Sequence, residues 1–342
     1  MNPWHLIAPP VMFALCVVGT LTLRSFLISR QVLDTPNERS SHSTPVARGG
    51  GLVFVAAVAL WMLPALLGYG QVLPGQRGAL IALVLVAFIG WLDDRRGVPP
   101  AVRLVVHLLA SAVVVIATLR DSGVLVVLDH PAAAVGLILL CAWMINLTNF
   151  MDGIDGLAGA EGVFVLGGAA ALCTGSAAAP AAAMVAVFAA AVAGFLAVNI
   201  SRAKIFMGDA GSGSLGLLMA WVLLALTSQG WLAACSASVL PAVFVADASV
   251  TLLVRLVRRQ HPAQAHRTHA YQRLVRRGMP HLGATALYAL VNIGVVLPAA
   301  WAGSRGLLDP MLVAGGVYCL LLPMALALGA GREPASGYAT QR

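Results

Sequence analysis

Charge is what this chain has least of. Asp, Glu, Lys and Arg make up 10% of its 342 residues, against 60% hydrophobic ones, and only 13 residues are acidic. Lysine occurs once, as Lys204. No polar stretch is long enough to fold as a separate soluble domain, and no solenoid-length repeat is present. The five cysteines (Cys16, Cys141, Cys173, Cys235 and Cys319) stand singly, without a CxxC pair or metal-ligand spacing. They read as small packing residues, not as a disulfide framework. The opening segment lacks a basic leader and a small-residue cleavage site, so it is expected to stay in the mature protein.

What the chain has in abundance is apolar runs of about 20 residues, the length that crosses a bilayer. They fall at 6–28, 49–68, 78–93, 103–119, 131–148, 158–176, 180–198, 212–228, 231–254, 281–302 and 309–329. With a mean hydropathy of +0.89, the expected fold is an all-α, polytopic membrane helix bundle of about eleven transmembrane helices. One integral membrane domain, 1–342, accounts for the chain, with cytoplasmic loops at 29–48, 94–102, 149–157, 199–211 and 255–280.

With the N-terminus outside, eighteen Lys and Arg fall in cytoplasmic segments, and only Arg77, Arg120 and Arg305 fall outside. That bias satisfies the positive-inside rule and puts the C-terminus in the cytoplasm. The net charge of +8 therefore serves topology, and no nucleic-acid partner is expected. The acids Asp34, Glu38, Asp93, Asp94, Asp152, Asp155 and Asp209 gather on the same face, although the rule does not require it. Carboxylates at the mouths of membrane helices are costly, and an active site at the cytoplasmic face explains them.

The richest polar stretch is NLTNFMDGIDG, from Asn146 to Gly156. Asp152 and Asp155 are three apart and share one face if helical; Asn146 and Asn149 add amides. Gly153 and Gly156 permit a tight turn or a close ligand. The plainer reading is a polar helix-to-loop turn. In GWLDDRRGVPP, Asp93 and Asp94 are adjacent, so on a regular helix they diverge by about 100°. One is expected to contact a metal or act as a base while Arg95, Arg96 or Arg103 holds the other; the alternative is a helix end with self-paired charges. In LDTPNERSSHSTPVARGGG, Arg39, His42 and Arg48 suit a phosphate, or simply obey topology.

The stretch NISRAKIFMGDAGSGSLG places Lys204, a compact point charge suited to phosphate, five residues before Asp209. GSGS then opens a helix whose free N–H groups and dipole suit an anion. A carboxylate beside such an anion site implies Mg²⁺, which prefers oxygen ligands and substrate phosphates. In HPAQAHRTHAYQRL, His266 and His269 are three apart and suit a phosphate or a developing charge. A two-histidine zinc site would need further ligands, and the cysteines are out of reach. Asp247 lies within a span, as a partner for an arginine or as an outer member of the site.

In this order, DTPNERSSHSTPVARGGG, WLDD, NLTNFMDGIDGLAG, NISRAKIFMGDAGS and HRTHAYQRL, the chain resembles the polyprenyl-phosphate N-acetylhexosamine-1-phosphate transferases, glycosyltransferase family 4. That family includes the phospho-MurNAc-pentapeptide translocase of peptidoglycan synthesis and the enzymes that initiate O-antigen and teichoic acid assembly. The resemblance covers spans one to nine. It implies that undecaprenyl phosphate attacks the sugar-linked phosphate of a UDP-N-acetylhexosamine, releasing UMP. It also implies a bacterial inner-membrane location and Mg²⁺, with Mn²⁺ as the alternative ion; a homodimer is the candidate assembly.

Residue by residue, the resemblance makes Asp209 the metal ligand of FMGD and Asp93 and Asp94 the catalytic pair, one deprotonating or positioning the lipid phosphate. His269, aligned with the first histidine of the family's loop motif, joins them. Asn149, Asp152 and Asp155 match the nucleotide-site motif, Asn199 and Lys204 the polar residues before FMGD, and Phe206 an aromatic near the uracil. Arg48 and His266 complete the expected substrate-binding set. Tyr271 and Gln272 stand where relatives often carry two further histidines, Ser40 where many have Lys, and Arg202 where many have Pro. The AYQRL variant resembles the O-antigen-initiating branch. The competing reading is a secondary transporter, which predicts acids near the midplane and broken helices in related positions of two halves. Only Asp247 is clearly intramembrane, and the motif-bearing segments do not repeat.

Overall fold

The computed structural model describes residues 4–34, 45–124, 127, 130–200, 202–260 and 266–332. Within them, helix occupies every apolar window. The elements run α1 (Trp4–Ser29), β1 (Leu33–Asp34), β2 (Val46–Arg48), α2 (Gly51–Met62), α3 (Gln76–Arg96), α4 (Pro100–Asp121), α5 (Pro131–Phe150), α6 (Leu157–Leu172) and α7 (Ala179–Asn199). There follow β3 (Ile205–Phe206), α8 (Asp209–Ser228), α9 (Ala234–Val239), α10 (Ala242–Val257), α11 (Ala270–Arg276), α12 (His281–Val291), α13 (Leu297–Ser304) and α14 (Pro310–Leu328). Pro100, Pro131, Pro180 and Pro310 stand in the first turns of their helices, where a missing N–H costs nothing.

Among the described residues, eight helices are long and apolar enough to cross a membrane, so the chain is a polytopic membrane protein. The windows at 49–68 and 158–176 hold shorter apolar helices, Gly51–Leu67 and Leu157–Leu172. The window at 231–254 is not one helix. It breaks between α9 and α10 at Leu240 and Pro241, where the proline ring denies the backbone a donor. The window at 281–302 is interrupted by a π turn, Asn292–Val296, just ahead of Pro298. The wider turn absorbs the hydrogen bond that the proline cannot make.

At the centre stands α8, with 83% of its span buried, the highest share of any candidate span. It packs most extensively on α3 and α5. Gly90 makes the α3 approach possible, since a Cβ there would stand 2.5 Å from the backbone nitrogen of Ala210. One turn further along α3 come Asp93 and Asp94, which are thereby delivered to the start of α8.

The bundle is not purely helical. β1 runs antiparallel to β2, with Leu33 opposite Ala47, and β2 runs parallel to β3, with Ala47 opposite Ile205 and Arg48 opposite Phe206. This small sheet stitches the chain before α2 to the chain before α8. Gly49 and Gly50 extend the stitch by donating to the Phe206 carbonyl at 3.1 and 2.8 Å.

Candidate functional site

Asp93 and Asp94 do diverge, and each is claimed by a different helix. Asp94 Oδ1 accepts the Asp209 amide at 3.1 Å and its Oδ2 accepts the Ala210 amide at 3.3 Å. It therefore occupies the positive N-terminal end of α8. The next two amides, of Gly211 and Ser212, donate to the Gly208 carbonyl. The anion expected at this helix start is thus the protein's own carboxylate, not a substrate phosphate. Gly208 is required there: its φ is +79°, and a Cβ would lie 2.7 Å from Asp94 Oδ2. Asp93 turns the other way, accepting the Val98 amide at 2.6 Å and pairing closely with Arg103 on α4.

Two arginines knit these carboxylates to Asp209. From β2, Arg48 reaches Asp94 Oδ1 through Nε and Asp209 Oδ1 through Nη2, both at 2.7 Å. Nη1 of Arg103, already on Asp93, lies 3.3 Å from Asp209 Oδ2. The result is one zigzag, Asp93–Arg103–Asp209–Arg48–Asp94. Of the three arginines expected near the aspartate pair, Arg103 is the one that engages; Arg95 lies over the Trp91 ring at 4.7 Å. Arg48, expected to hold substrate, is committed to carboxylates in this arrangement. Arg39, Ser40 and His42 lie outside the described residues.

The NLTNFMDGIDG stretch divides its labour. Because α5 ends at Phe150, Asp152 and Asp155 do not share a helical face as expected; they sit in a turn and part. Asn149 Nδ2 donates to the Ser212 hydroxyl in the first turn of α8 at 3.0 Å. The Asp152 amide donates to the Asn149 carbonyl at 3.3 Å, but its carboxylate makes no hydrogen bond or ion pair with any described residue. Its recessed setting pushes its carboxyl well above the usual carboxylate range; Arg48 opposes the rise, and Asp209 and Asp94 add to it. Asp155 is a brace, accepting the Ala203 amide at 3.0 Å and facing His281 Nδ1 at 3.3 Å. Burial raises its carboxyl, but the His281 and Ala203 hydrogen bonds outweigh that and hold it below its ordinary value.

Asn199, expected to bind substrate, is a strut. It is buried, its Oδ1 accepts the Gly156 amide and its Nδ2 donates to the Ile205 carbonyl, both at 2.9 Å. Both ends of the side chain serve the backbone. Lys204 is exposed, and its amine pairs with no described residue; its carbonyl accepts Arg24 Nε at 3.0 Å. Phe206 is partly exposed in β3. Arg202 adopts φ +67°, which a proline ring forbids, so this loop takes a path closed to relatives with proline there.

His269 does not join the aspartates, contrary to expectation. It is buried, with Nδ1 3.6 Å from Asp247 Oδ1, and its ring sits between His266 at 5.0 Å and Tyr271 at 5.8 Å. Its backbone amide donates to Gln272 Oε1 at 3.2 Å. His266 meets the Thr268 hydroxyl at 3.0 Å; burial, with His269 and Arg255 adding, pushes it down to about 4. At neutral pH it carries no charge for a phosphate. Asp247 pairs with no arginine among the described residues. It caps α11, accepting the Ala270 and Tyr271 amides at 2.8 and 3.2 Å, and it accepts the Tyr288 hydroxyl at 2.6 Å. Tyr271 explains one departure from the family pattern: its hydroxyl donates to the Phe150 carbonyl at 2.9 Å and pins the end of α5.

The gathered residues are thus Asp93, Asp94, Asp152, Asp209, Arg48 and Arg103, with Asn149 alongside through Ser212. Arg103 is one of the three expected candidate partners of the aspartate pair, whereas Ser212, within the GSGS that opens α8, is not singled out by the sequence. Four carboxylates face two guanidiniums, which leaves two negative charges unmatched when all are ionised, the charge of one divalent cation. Family membership of the resembled kind implies a Mg²⁺-dependent mechanism. Among the described residues, no three His, Cys, Asp or Glu side chains form a ready-made cage. Mg²⁺ does not require one, since it commonly takes one or two carboxylates with water and substrate phosphate. The hard oxygen donors here fit it.

A family model described as "Glycosyl transferase family 4" matches residues 77–227, the segment from α3 through α8. The decaprenyl-phosphate N-acetylglucosaminephosphotransferase of Mycolicibacterium smegmatis is 30% identical over 312 residues, covering 80% of this chain and 75% of that protein. Its namesake in Mycobacterium leprae is 33% identical over 232 residues, covering 61% of this chain and 56% of that protein. The phospho-N-acetylmuramoyl-pentapeptide-transferase of Geobacillus kaustophilus is 31% identical over 203 residues, 53% of this chain and 61% of that protein. The matched segment thus spans little more than half the length of the Mycobacterium leprae and Geobacillus kaustophilus relatives.

Proposed function

The chain belongs to glycosyl transferase family 4, and on that premise we propose that it transfers an N-acetylhexosamine-1-phosphate from a UDP-sugar to undecaprenyl phosphate, releasing UMP. The observation that carries this reading is the arginine-tied cluster of Asp93, Asp94 and Asp209 at the gathered ends of α3, α4 and α8. The relatives' names specify polyprenyl phosphates and N-acetylated sugars as substrates of those proteins.

In the proposed reaction an oxygen of the lipid phosphate bonds to the sugar-linked phosphorus. The phosphorus–oxygen bond to UMP breaks, and UMP leaves with the bridging oxygen. Such transfers depend on positioning and charge neutralisation more than on covalent protein chemistry. Asp209, with Asp152 open beside it, would hold Mg²⁺, which supplies neutralisation of the diphosphate when bound. Lys204 and the arginines would hold phosphate oxygens. Asp94 keeps the start of α8 in place, and Asp93 anchors Arg103. Asn149 and Phe206 line the approach for the nucleotide, with Asn199 and Asp155 bracing the loops that carry it.

The finer features follow the same reading. Eleven spans, the N-terminus outside, the C-terminus and the site at the cytoplasmic face of the bacterial inner membrane agree with the distribution of arginines. The AYQRL variant supports a role in starting O-antigen or a related envelope glycan, and a homodimer is the assembly to test. A transporter reading finds little support, because the motif-bearing segments do not repeat along the chain.

The test is UMP release by purified protein in detergent, given undecaprenyl phosphate and a panel of UDP-N-acetyl sugars, with and without Mg²⁺. Release that needs lipid, sugar nucleotide and metal together is expected. Folded protein that releases no UMP with any donor would overturn the assignment.

A further inference from the structure

Asp209 is held unequally on its two sides. On Oδ1, Arg48 makes a two-point clamp, with Nε and Nη2 each 2.7 Å from a different carboxylate. On Oδ2 the guanidinium contact is longer, and it is shared: Nη1 of Arg103 lies 3.3 Å from Asp209 but closer to Asp93. Asp93 is itself fixed by the Val98 amide at 2.6 Å, so it is a firm anchor. Charge-assisted bonds are strong when short and well aimed, so Arg103 can give up Asp209 and stay where it is. Its Nε and Nη2 donate to no described residue, and a guanidinium has five donors to distribute.

We propose that Arg103 is a positioning residue that shields Asp209 in the resting protein, releases it when that carboxylate takes a divalent cation, and turns its uncommitted donors to the sugar nucleotide's diphosphate while remaining on Asp93. The inference rests on the reading of Asp209 as the metal ligand. It makes metal and nucleotide binding mutually supportive, because the anion draws away the guanidinium that competes with the cation. It also lowers the cost of holding Asp209 beside Asp93 when no cation is bound, since an unpaired charge in such a recess would be costly.

The test is Mn²⁺ binding to purified protein, followed by the loss of the free-ion paramagnetic resonance signal, together with calorimetric titration of UDP-N-acetylglucosamine. Arg103→Gln should tighten Mn²⁺ binding without nucleotide by about three- to tenfold and weaken nucleotide-sugar binding. Arg103→Lys, which keeps the charge, should stay near wild type for Mn²⁺. Asp93→Asn should weaken Mn²⁺ binding by transferring Arg103 to Asp209, and that loss should shrink in the Arg103→Gln background but persist in the Arg103→Lys background. Unchanged or weaker Mn²⁺ binding in Arg103→Gln would overturn the proposal. Should that variant not fold, Mn²⁺ binding that is unchanged or tighter in Asp93→Asn would do the same. Asp209→Asn separates the two ideas: if it binds Mn²⁺ as wild type does, Asp209 is not the ligand.

Discussion

The Asp94 carboxylate lies 3.1 Å from the backbone nitrogen of Asp209, so the helix that opens with Asp209 is capped by its neighbour in the site. A carboxylate in this position serves architecture and chemistry together. Its loss should be felt in both.

Asp94→Ala removes two amide acceptors and one partner of Arg48. It is expected to destabilise the protein by about 2–4 kcal/mol and to abolish UMP release. Asp94→Asn retains a carbonyl acceptor and should recover part of the stability but little of the activity. Thermal unfolding in detergent beside turnover checks both; an Asp94→Ala protein as stable as wild type would remove the capping role.

Lys204 carries its amine into solvent with no described partner, in the loop that leads to Asp209. Lys204→Ala should raise KM for the UDP-sugar about five- to tenfold while KM for the lipid phosphate changes little. Equal losses for both substrates would show that Lys204 does not distinguish them.

Tyr271→Phe deletes only the hydroxyl that pins the Phe150 carbonyl. The expected cost is about 1 kcal/mol, together with faster hydrogen exchange in the turn from Met151 to Gly156. Exchange confined to α11 would place the effect elsewhere.

His266 is pushed down to about 4 in the folded protein, whereas an unfolded histidine titrates near about 6.5. The unfolded chain therefore takes up a proton first as the pH falls. Stability supplied by the neutral ring is complete above about 6.5 and is lost on the way down to about 4. His266→Gln should flatten the decline of the unfolding temperature across that window. An identical pH profile in the variant would assign the decline to other groups.

Much of this architecture was legible beforehand, for a physical reason. Spanning a bilayer demands long apolar runs, and these leave a mark that a single sequence carries openly. Breaks inside such runs leave almost none. The chain at Pro241 stays apolar on both sides, so hydropathy passes over the interruption. The three strands are two or three residues long, too short for any alternation to register.

Within the site, residue type pointed to a region where the carboxylates gather but not to each side chain's partner. Asp152 and Asp155 are alike in sequence, yet one faces the cluster and the other braces a loop. Asn199 and His269 look equally suited to a ligand, and both are buried in service of the backbone and core. A polar side chain that satisfies a buried amide has the same letter as one that meets a substrate. Only the partner distinguishes them.

The parallel pairing of β2 with β3 has a mechanical consequence. Arg48 is registered against Phe206, and the Phe206 carbonyl holds both Gly49 and Gly50. The arginine that clamps Asp209 and the aromatic residue expected beside the base are therefore mounted on a single lever. A shift of either strand is carried to the other through these bonds, so movement at Phe206 reaches the grip on the carboxylate.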